Sequence, residues 1–383
     1  MGEWPIVKLG EVCKINPRRD KSITSSTEIS FIEMKSLLEN GNVHPVTVPA
    51  GKYLKGYTPF QKHDILIAKI TPCFQNGKIG LANIDTDFGF GTTEFHVVRS
   101  GETLSPEYLT FFLRQQWILD AGEKCMTGSG GQRRVPKTFL ENLKLPLPPL
   151  GEQKRIAELL GGVSKAIHVV EQQIETANQL EKSLFNQFRR QYSALCSPIK
   201  NICKVQTGAT PSRKNSAYYD GGIPWVKTGE VNGGKIEETE ECITELAVQE
   251  TNCRKFPIGT ILVAMYGQGA TRGKVGILNC AAATNQACAA LIALACEDQE
   301  YIFAVLRNCY DELRNLGRGG TQPNLNLTLV KNFEIPWPEE FAREEFSQKW
   351  RELDNLRHLL HRKLSLLQEL QKSLATRAFA GLL

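Results

Sequence analysis

Two glycine-rich polar loops are the stretches of this chain best equipped to contact another molecule. Thr127-Gly-Ser-Gly-Gly-Gln-Arg-Arg-Val-Pro-Lys137 sets flexible backbone beside three cations and an amide, and Gly317-Arg-Gly-Gly-Thr-Gln-Pro-Asn-Leu-Asn326 carries one cation, a glutamine and two asparagines. Glycine lets backbone N–H groups approach a phosphate. Arginine can bond guanine through two acceptors at once, and Gln or Asn can do the same for adenine. The chemistry is nucleic-acid recognition, with Ser129, Gln132, Arg133, Arg134, Lys137, Arg318, Thr321, Gln322 and Asn324 as candidate contacts. Thr210-Pro-Ser-Arg-Lys-Asn-Ser-Ala-Tyr-Tyr219 adds Arg213, Lys214 and Tyr219, and two matching turns, Asn76-Gly-Lys78 and Arg272-Gly-Lys274, add Lys78, Arg272 and Lys274. An ordinary surface loop capping a domain is the competing reading of each tract.

Catalytic constellations are missing. Gly267-Gln-Gly-Ala-Thr-Arg-Gly-Lys-Val275 has the wrong spacing for a phosphate loop, and Val275 cannot ligate magnesium. The sequence has no Gly-x-Ser-x-Gly elbow, no His-Glu-x-x-His helix and no dinucleotide fingerprint. The amino-methyltransferase signature, Asn or Asp before Pro-Pro-aromatic, is absent too, and Leu147-Pro-Pro-Leu150 does not replace it. His358 and His361 stand three apart with no acidic or cysteine partner expected close by, which favours solvated helix residues over a metal site. The expectation is a non-catalytic chain that holds no metal and no cofactor.

The elements that must position the loops are two long helices. Leu145-Pro-Leu-Pro-Pro-Leu150 reads as an extended lead-in, because proline lacks an N–H and pushes the residue before it away from helix. Behind it, Leu160, Val163, Ile167, Val170, Ile174, Ala177, Leu184 and Phe188 form a heptad seam, with Glu181 as its one polar member. Adding 190 gives a second seam at Trp350, Leu353, Arg357, Leu360, Leu364, Leu367, Leu374 and Ala378, with Gln371 at the polar position. Pro146 and Pro148 recur as Pro336 and Pro338, and Leu180-Glu-Lys-Ser-Leu184 as Leu370-Gln-Lys-Ser-Leu374. Glu181 and Gln371 either fix the register or sit at the seam's edge. Gly161-Gly162 marks a kink or the start of the first helix.

The blocks before the helices also match. Pro5–Val12 echoes Pro198–Val205, Asp64–Ala68 echoes Gly259–Ala264, Tyr108–Arg114 echoes Tyr301–Arg307, and Gly130-Gly131 echoes Gly319-Gly320, at offsets drifting between 189 and 196. Short β-branched and aromatic runs, such as Ile29–Met34 and Glu94–Val98, read as strands, and Pro106 to Ala121 reads as an amphipathic helix. The organisation is four segments: residues 1–145, a lead-in and helix over 146–193, residues 194–335, and a second lead-in and helix over 336–383. The expected fold class is α+β: two similar mixed α/β domains held apart, by at most roughly 50–60 Å, by two antiparallel coiled-coil helices with pseudo-two-fold symmetry.

At 383 residues the chain has room for two or three domains, and 41% hydrophobic with 23% charged residues is an ordinary globular composition. Eleven scattered cysteines without a Cys-x-x-Cys pair suit reduced core thiols. A net charge of +5 permits nucleic-acid binding without demanding it. No apolar run is long enough for a membrane span and no signal peptide is evident, so a cytoplasmic protein is expected.

The lead-in Pro146-Leu-Pro-Pro-Leu-Gly-Glu-Gln-Lys-Arg-Ile156, the Gly-Ser-Gly-Gly-Gln and Gly-Gly-Thr-Gln-Pro-Asn loops and the block-helix-block-helix order resemble the specificity subunit of Type I restriction-modification enzymes. The resemblance covers essentially the whole chain. It implies two target-recognition domains that each read one half of a bipartite site on double-stranded DNA, with the helices setting the gap. It also implies two copies of an adenine methyltransferase subunit and an ATP-dependent restriction (translocase) subunit as partners. S-adenosylmethionine, ATP and magnesium would belong to those partners. Ile335-Pro-Trp-Pro-Glu-Glu-Phe341 departs from the lead-in pattern by lacking the Glu-Gln pair, which leaves the start of the second helix open. The reading from a different class is a non-catalytic two-domain scaffold for protein or glycan partners.

Overall fold

The computed structural model describes residues 4–129, 131–267, 270–317 and 324–383. Its fold class is α+β, in two compact units: Met1–Glu171 with Arg362–Leu383, and Gln172–His361. The unit boundaries fall in the middle of the long helices and not at the ends of the predicted segments. The reason lies in the packing. In unit 1, Ile156, Leu160 and Ala378 join the core that contains Leu109 and Phe112. In unit 2, Phe185, Phe188, Phe346 and Trp350 join the core that contains Tyr301 and Leu306. Each block thus rests on half of each helix.

Unit 1 opens with a two-stranded clasp, Ile6–Lys8 against Lys144–Pro146, antiparallel with Ile6 opposite Pro146. A four-stranded antiparallel sheet follows, its order across the sheet being Cys13–Ile15, Phe95–Ser100, Ile65–Ala68 and Ile79–Leu81. The second sheet runs Val46–Pro49, Glu28–Ile32, Phe88–Gly91 and Thr58–Gln61. All four residues of Ile65–Ala68 are buried because period-two alternation serves two cores: Ile65 and Ile67 face the helices, Leu66 and Ala68 the other cluster. Ile261–Ala264 in unit 2 divides in the same way, Ile261 and Val263 against Leu262 and Ala264. There the larger sheet has five strands, and Tyr219–Val226 pairs in parallel with Ala283–Thr284.

The expected helix from Pro106 to Ala121 is two helices, Pro106–Leu113 and Gln116–Lys124. Leu109, Phe112 and Leu113 would be continued on one face by positions 116, 117 and 120, which are Gln, Trp and Asp. The buried residues are instead Ile118, Leu119 and Gly122. A break at the extended Gln115 resets the phase.

The first long helix is Leu150–Gln191 and the second Glu340–Phe379. Helix one begins eleven residues before Gly161, which corrects the expectation that the glycine pair starts it. A methyl group on Gly162 would meet nothing within 4 Å, so close packing does not require that glycine. Helix two starts at the same 190-residue offset despite its altered lead-in, and the side chains explain why. Buried Gln153 accepts from the Ser105 backbone N–H at 2.8 Å and donates to the Pro148 carbonyl at 2.7 Å. Arg343, 190 residues on, donates to Asp298 at 2.8 Å and to the Pro338 carbonyl at 2.6 Å. A neutral latch in one unit is a charged latch in the other. Tyr108 and Tyr301 complete both, their hydroxyls donating to the carbonyls of Pro146 and Pro336 at 2.9 and 2.5 Å.

Every seam position is buried or half-buried. Leu160, Val170, Ile174, Ala177 and Phe188 are buried, as are Trp350, Leu360 and Ala378; Val163, Ile167, Leu184, Leu353, Arg357, Leu364, Leu367 and Leu374 are half-buried. Glu181 lies inside the packing and not at its edge: it accepts from Trp350 Nε1 at 2.9 Å, Arg357 Nη1 at 2.6 Å and Asn308 Nδ2 at 3.3 Å. Asp354 accepts from Arg307 at 2.9 Å and also pairs with Arg357. In unit 1 the positions matching Glu181, Asp354 and Arg357 are the uncharged Gln371, Ser164 and Ile167, and Gln371 donates to Ser164 Oγ at 2.6 Å. Removing one member of a buried ion network leaves the others uncompensated. Glu181→Ala should therefore destabilise the full chain by about 3–5 kcal/mol in urea unfolding, and Gln371→Ala by about 1 kcal/mol. Equal costs for the two substitutions would contradict the assignment.

Candidate nucleic-acid interface

Backbone bonding closes the first glycine loop into a small hairpin. Thr127 and Arg134 exchange N–H to carbonyl bonds at 3.0 and 2.8 Å, and Gln132 N–H donates to Ser129 O at 3.3 Å. Gly128 has a φ of +118°, and a Cβ there would lie 2.8 Å from Gln132 O, so only glycine fits. Neighbouring backbone fastens the hairpin: Thr71 N–H donates to Arg133 O at 3.0 Å, and Val135 N–H to Lys69 O at 2.9 Å.

Side chains fasten it further. Arg134 grips Glu94 through two bonds of 2.8 and 2.9 Å and holds Gln132 O at 2.9 Å. That grip keeps the Glu94 carboxyl below its ordinary range. Buried His96 donates through Nε2 to Val135 O at 2.9 Å, so its Nδ1 accepts from Asn16 Nδ2 at 3.0 Å. Burial pushes the His96 pKa down, favouring the neutral ring this pattern requires. Glu94, His96, Asn16 and Lys69 were missed by the sequence reading; their distance from the loop along the chain hid them.

The unit 1 candidates therefore separate by what already holds them. Arg134 supports the loop and is not a spare cation. Arg133 is exposed and loosely held, 3.2 Å from Glu123 O. Lys137 pairs with Glu141 one turn away, 2.8 Å apart. Ser129 and Gln132 form the exposed tip. Lys78 is half-buried, its Nζ donating to Met34 O at 3.2 Å.

In unit 2, Arg318, Thr321 and Gln322 fall outside the described residues; exposed Asn324 stands at the loop's end. The fastening is nonetheless the same, since Leu325 N–H donates to Met265 O at 3.1 Å, and Leu325 lies 190 residues after Val135. Arg213 is committed internally, bonded to Glu241 at 2.6 and 3.2 Å and stacked 4.6 Å from Tyr219 and 5.3 Å from Trp225. Tyr219 donates its hydroxyl to Pro211 O at 2.6 Å. Lys214 is exposed with no hydrogen bond or ion pair among the described residues. Arg272 and Lys274 are half-buried beside helix Tyr310–Leu316, with Gly273 packed against the Arg314 backbone. Arg272 Nε is buried without a hydrogen-bond partner among the described residues.

No group of His, Cys, Asp or Glu among the described residues is arranged to hold a metal. One detail corrects the sequence reading: His358 does have an acidic neighbour, Asp354 at 3.3 Å, one helical turn away. Asp354 is already bound to two arginines. All eleven cysteines are free thiols, and burial pushes Cys203, Cys288 and Cys309 up to about 12, which makes them poor nucleophiles. Among the described residues no helix is long and apolar enough to cross a membrane.

Comparison with known proteins points the same way as the duplicated loops. The family model described as the Type I restriction modification DNA specificity domain matches twice, over residues 1–179 and 196–368. The Type I restriction enzyme EcoAI specificity subunit of Escherichia coli is 41% identical over 157 residues, 40% of this chain and 26% of that one. Its EcoEI counterpart, also of Escherichia coli, is 38% identical over 173 residues, 44% of this chain and 28% of that one. These matches thus span little more than a quarter of either relative's length. The crystal structure of a Type I restriction-modification S subunit from M. genitalium shares the fold, with a TM-score of 0.64 at 14% identity, over 98% of this chain and 96% of that one.

The hairpin's fastening is pH-sensitive with a definite sign. The unfolded His96 takes up a proton near its ordinary 6.5, whereas the folded ring resists it, so stability falls as pH drops below about 6.5. The Glu94 contribution is complete above its ordinary 4.5 and is lost only below that. Amide protection at Thr127 and Arg134, corrected for intrinsic exchange, should decline between pH 7 and 5, with the His96 ring titrating below 6.5. A midpoint above 6.5 would contradict the hydrogen-bond assignment.

Proposed function

This chain belongs to the Type I restriction modification DNA specificity family, and from that premise we propose that it is the non-catalytic DNA-recognition subunit of a restriction-modification complex. Each unit reads one half of a bipartite site on double-stranded DNA. The carrying observation is the glycine-rich loop present in both halves and fastened in each by the same backbone bond, Val135 to Lys69 and Leu325 to Met265. In unit 1 the loop is held at its base and exposed at Ser129 and Gln132, so it presents cations and an amide with less ordering cost on binding. Arg133, Ser129 and Gln132 face the half-site in unit 1, and Asn324 in unit 2.

The two long helices set the unread gap, because each passes through both units. They also dock the partner subunits. Val169 and Leu370 in unit 1, and Leu359 and Leu180 in unit 2, are large apolar residues between 45% and 66% exposed. Val169 matches Leu359 and Leu180 matches Leu370 at the 190-residue offset, so each unit offers one member of each pair. Two equivalent apolar faces suit two copies of one DNA methyltransferase subunit, with restriction (translocase) subunits joining them. Those partners bring S-adenosylmethionine, ATP and magnesium, and the complex works in the cytoplasm.

Mixed with a cognate methyltransferase subunit and DNA of random sequence, the chain should direct adenine methylation to a two-part, gapped site. Methylation at an ungapped site, or none with a partner of proven activity, would overturn the reading. Inserting one heptad into each long helix should widen the gap while leaving both half-sites unchanged. The widening is at most about three base pairs, from ~1.5 Å per helical residue against ~3.4 Å per base pair. An unchanged gap would remove the helices from that role.

A further inference from the structure

Unit 1 has an open pocket of about 480 Å³ that plays no part in the loop site. Three aromatic rings build it. Phe31 and Tyr53 lie 4.3 Å apart between centroids, Phe31 and Tyr57 5.3 Å, and Tyr53 and Tyr57 5.1 Å. Glu33, Lys52, Thr92 and Thr93 supply the polar lining. Phe31 lies at the penultimate position of strand Glu28–Ile32, where it pairs in parallel with Phe90.

The duplicated domain indicates what such a place holds. Trp225 is likewise penultimate in strand Tyr219–Val226 and pairs in parallel with Ala283. There the guanidinium of Arg213 stacks on Tyr219 and Trp225, and Glu241 pairs with it at 2.6 Å. Unit 1 repeats the ingredients, clustered aromatic rings meeting mainly edge to face with a carboxylate beside them. Tyr53 already takes one cation over its ring, Lys52 Nζ at 5.0 Å from its centroid, which an incoming guanidinium would displace. Among the described residues the Glu33 side chain is held by an exposed pair with Lys35 alone, a contact worth little in water and easily exchanged.

We propose that the pocket of Phe31, Tyr53, Tyr57 and Glu33 binds an arginine side chain presented by a partner protein. A guanidinium is planar and weakly hydrated, so it can lie on a ring while its edge bonds a carboxylate; a compact, strongly hydrated ammonium does this less well. The occupant does from outside what Arg213 does from within unit 2.

The test uses the full chain with N-acetyl-arginine amide as the probe, read by NMR of the Tyr57 ring. Millimolar binding is expected, with N-acetyl-lysine amide at least about fivefold weaker. Tyr57→Ala should abolish the response, read then on the Tyr53 ring, and Tyr57→Phe should retain it, since the ring and not the hydroxyl carries the contact. Glu33→Gln should weaken it severalfold. These side chains are at the surface or rim, and circular dichroism of each variant checks the fold. An absent response at about 50 mM probe, equal binding of the lysine amide, or tighter binding of adenosine monophosphate than of the arginine amide would each overturn the proposal; the last would make the pocket a nucleobase site.

Discussion

Burial of the seam between the two long helices is the interaction on which the rest of the structure depends. Each globular block completes its core only by taking in half of each helix, Ile156, Leu160 and Ala378 in one unit and Phe185, Phe188, Phe346 and Trp350 in the other. A heptad helix with one apolar stripe cannot hide that stripe alone. The sheets, clasps and loops are arranged on it, and the buried latches at Gln153 and Arg343 fix where each helix begins.

The two units solve the same packing problem with different chemistry. Ser105 and Gln153 in one become Asp298 and Arg343 in the other, and neutral Ser164 and Gln371 face a network of Glu181, Asp354, Arg307 and Arg357. A buried charge costs much unless it is paired, so these exchanges must happen together or not at all. The same logic separates the cations of the loops. Arg134 and Arg213 each grip a carboxylate through two bonds and act as fasteners, whereas the Glu123 carboxylate is 3.9 Å from Arg133, which leaves Arg133, Lys214 and the tip of the unit 1 loop for a ligand.

Much of this was legible in the sequence wherever a short-range pattern encoded it. The heptads gave both helices and the faces they bury, and the shared offset gave the duplication. What stayed hidden depends on contacts far apart in the chain. The lead-in over residues 335–341 looked aberrant because Asp298, the partner that rescues Arg343, lies 45 residues away. Arg134 and Arg213 looked like ligand contacts because Glu94 and Glu241 lie 40 and 28 residues from them. The helix expected from Pro106 to Ala121 failed for a reason the sequence did contain, the phase change at Gln116 and Trp117. The aromatic pocket left one trace, two tyrosines four residues apart beside Gly56, but Phe31 joins them only through the fold.

On the proposed function, two like units read DNA independently, one half-site each. The most direct measurement exchanges residues 1–145 for the corresponding block of a family member with a different target, and maps adenine methylation when the chain is mixed with a candidate methyltransferase subunit of proven activity. The account predicts a hybrid site in which one half and its spacing are retained and the other half is replaced. A change in both halves, or in neither, would contradict it.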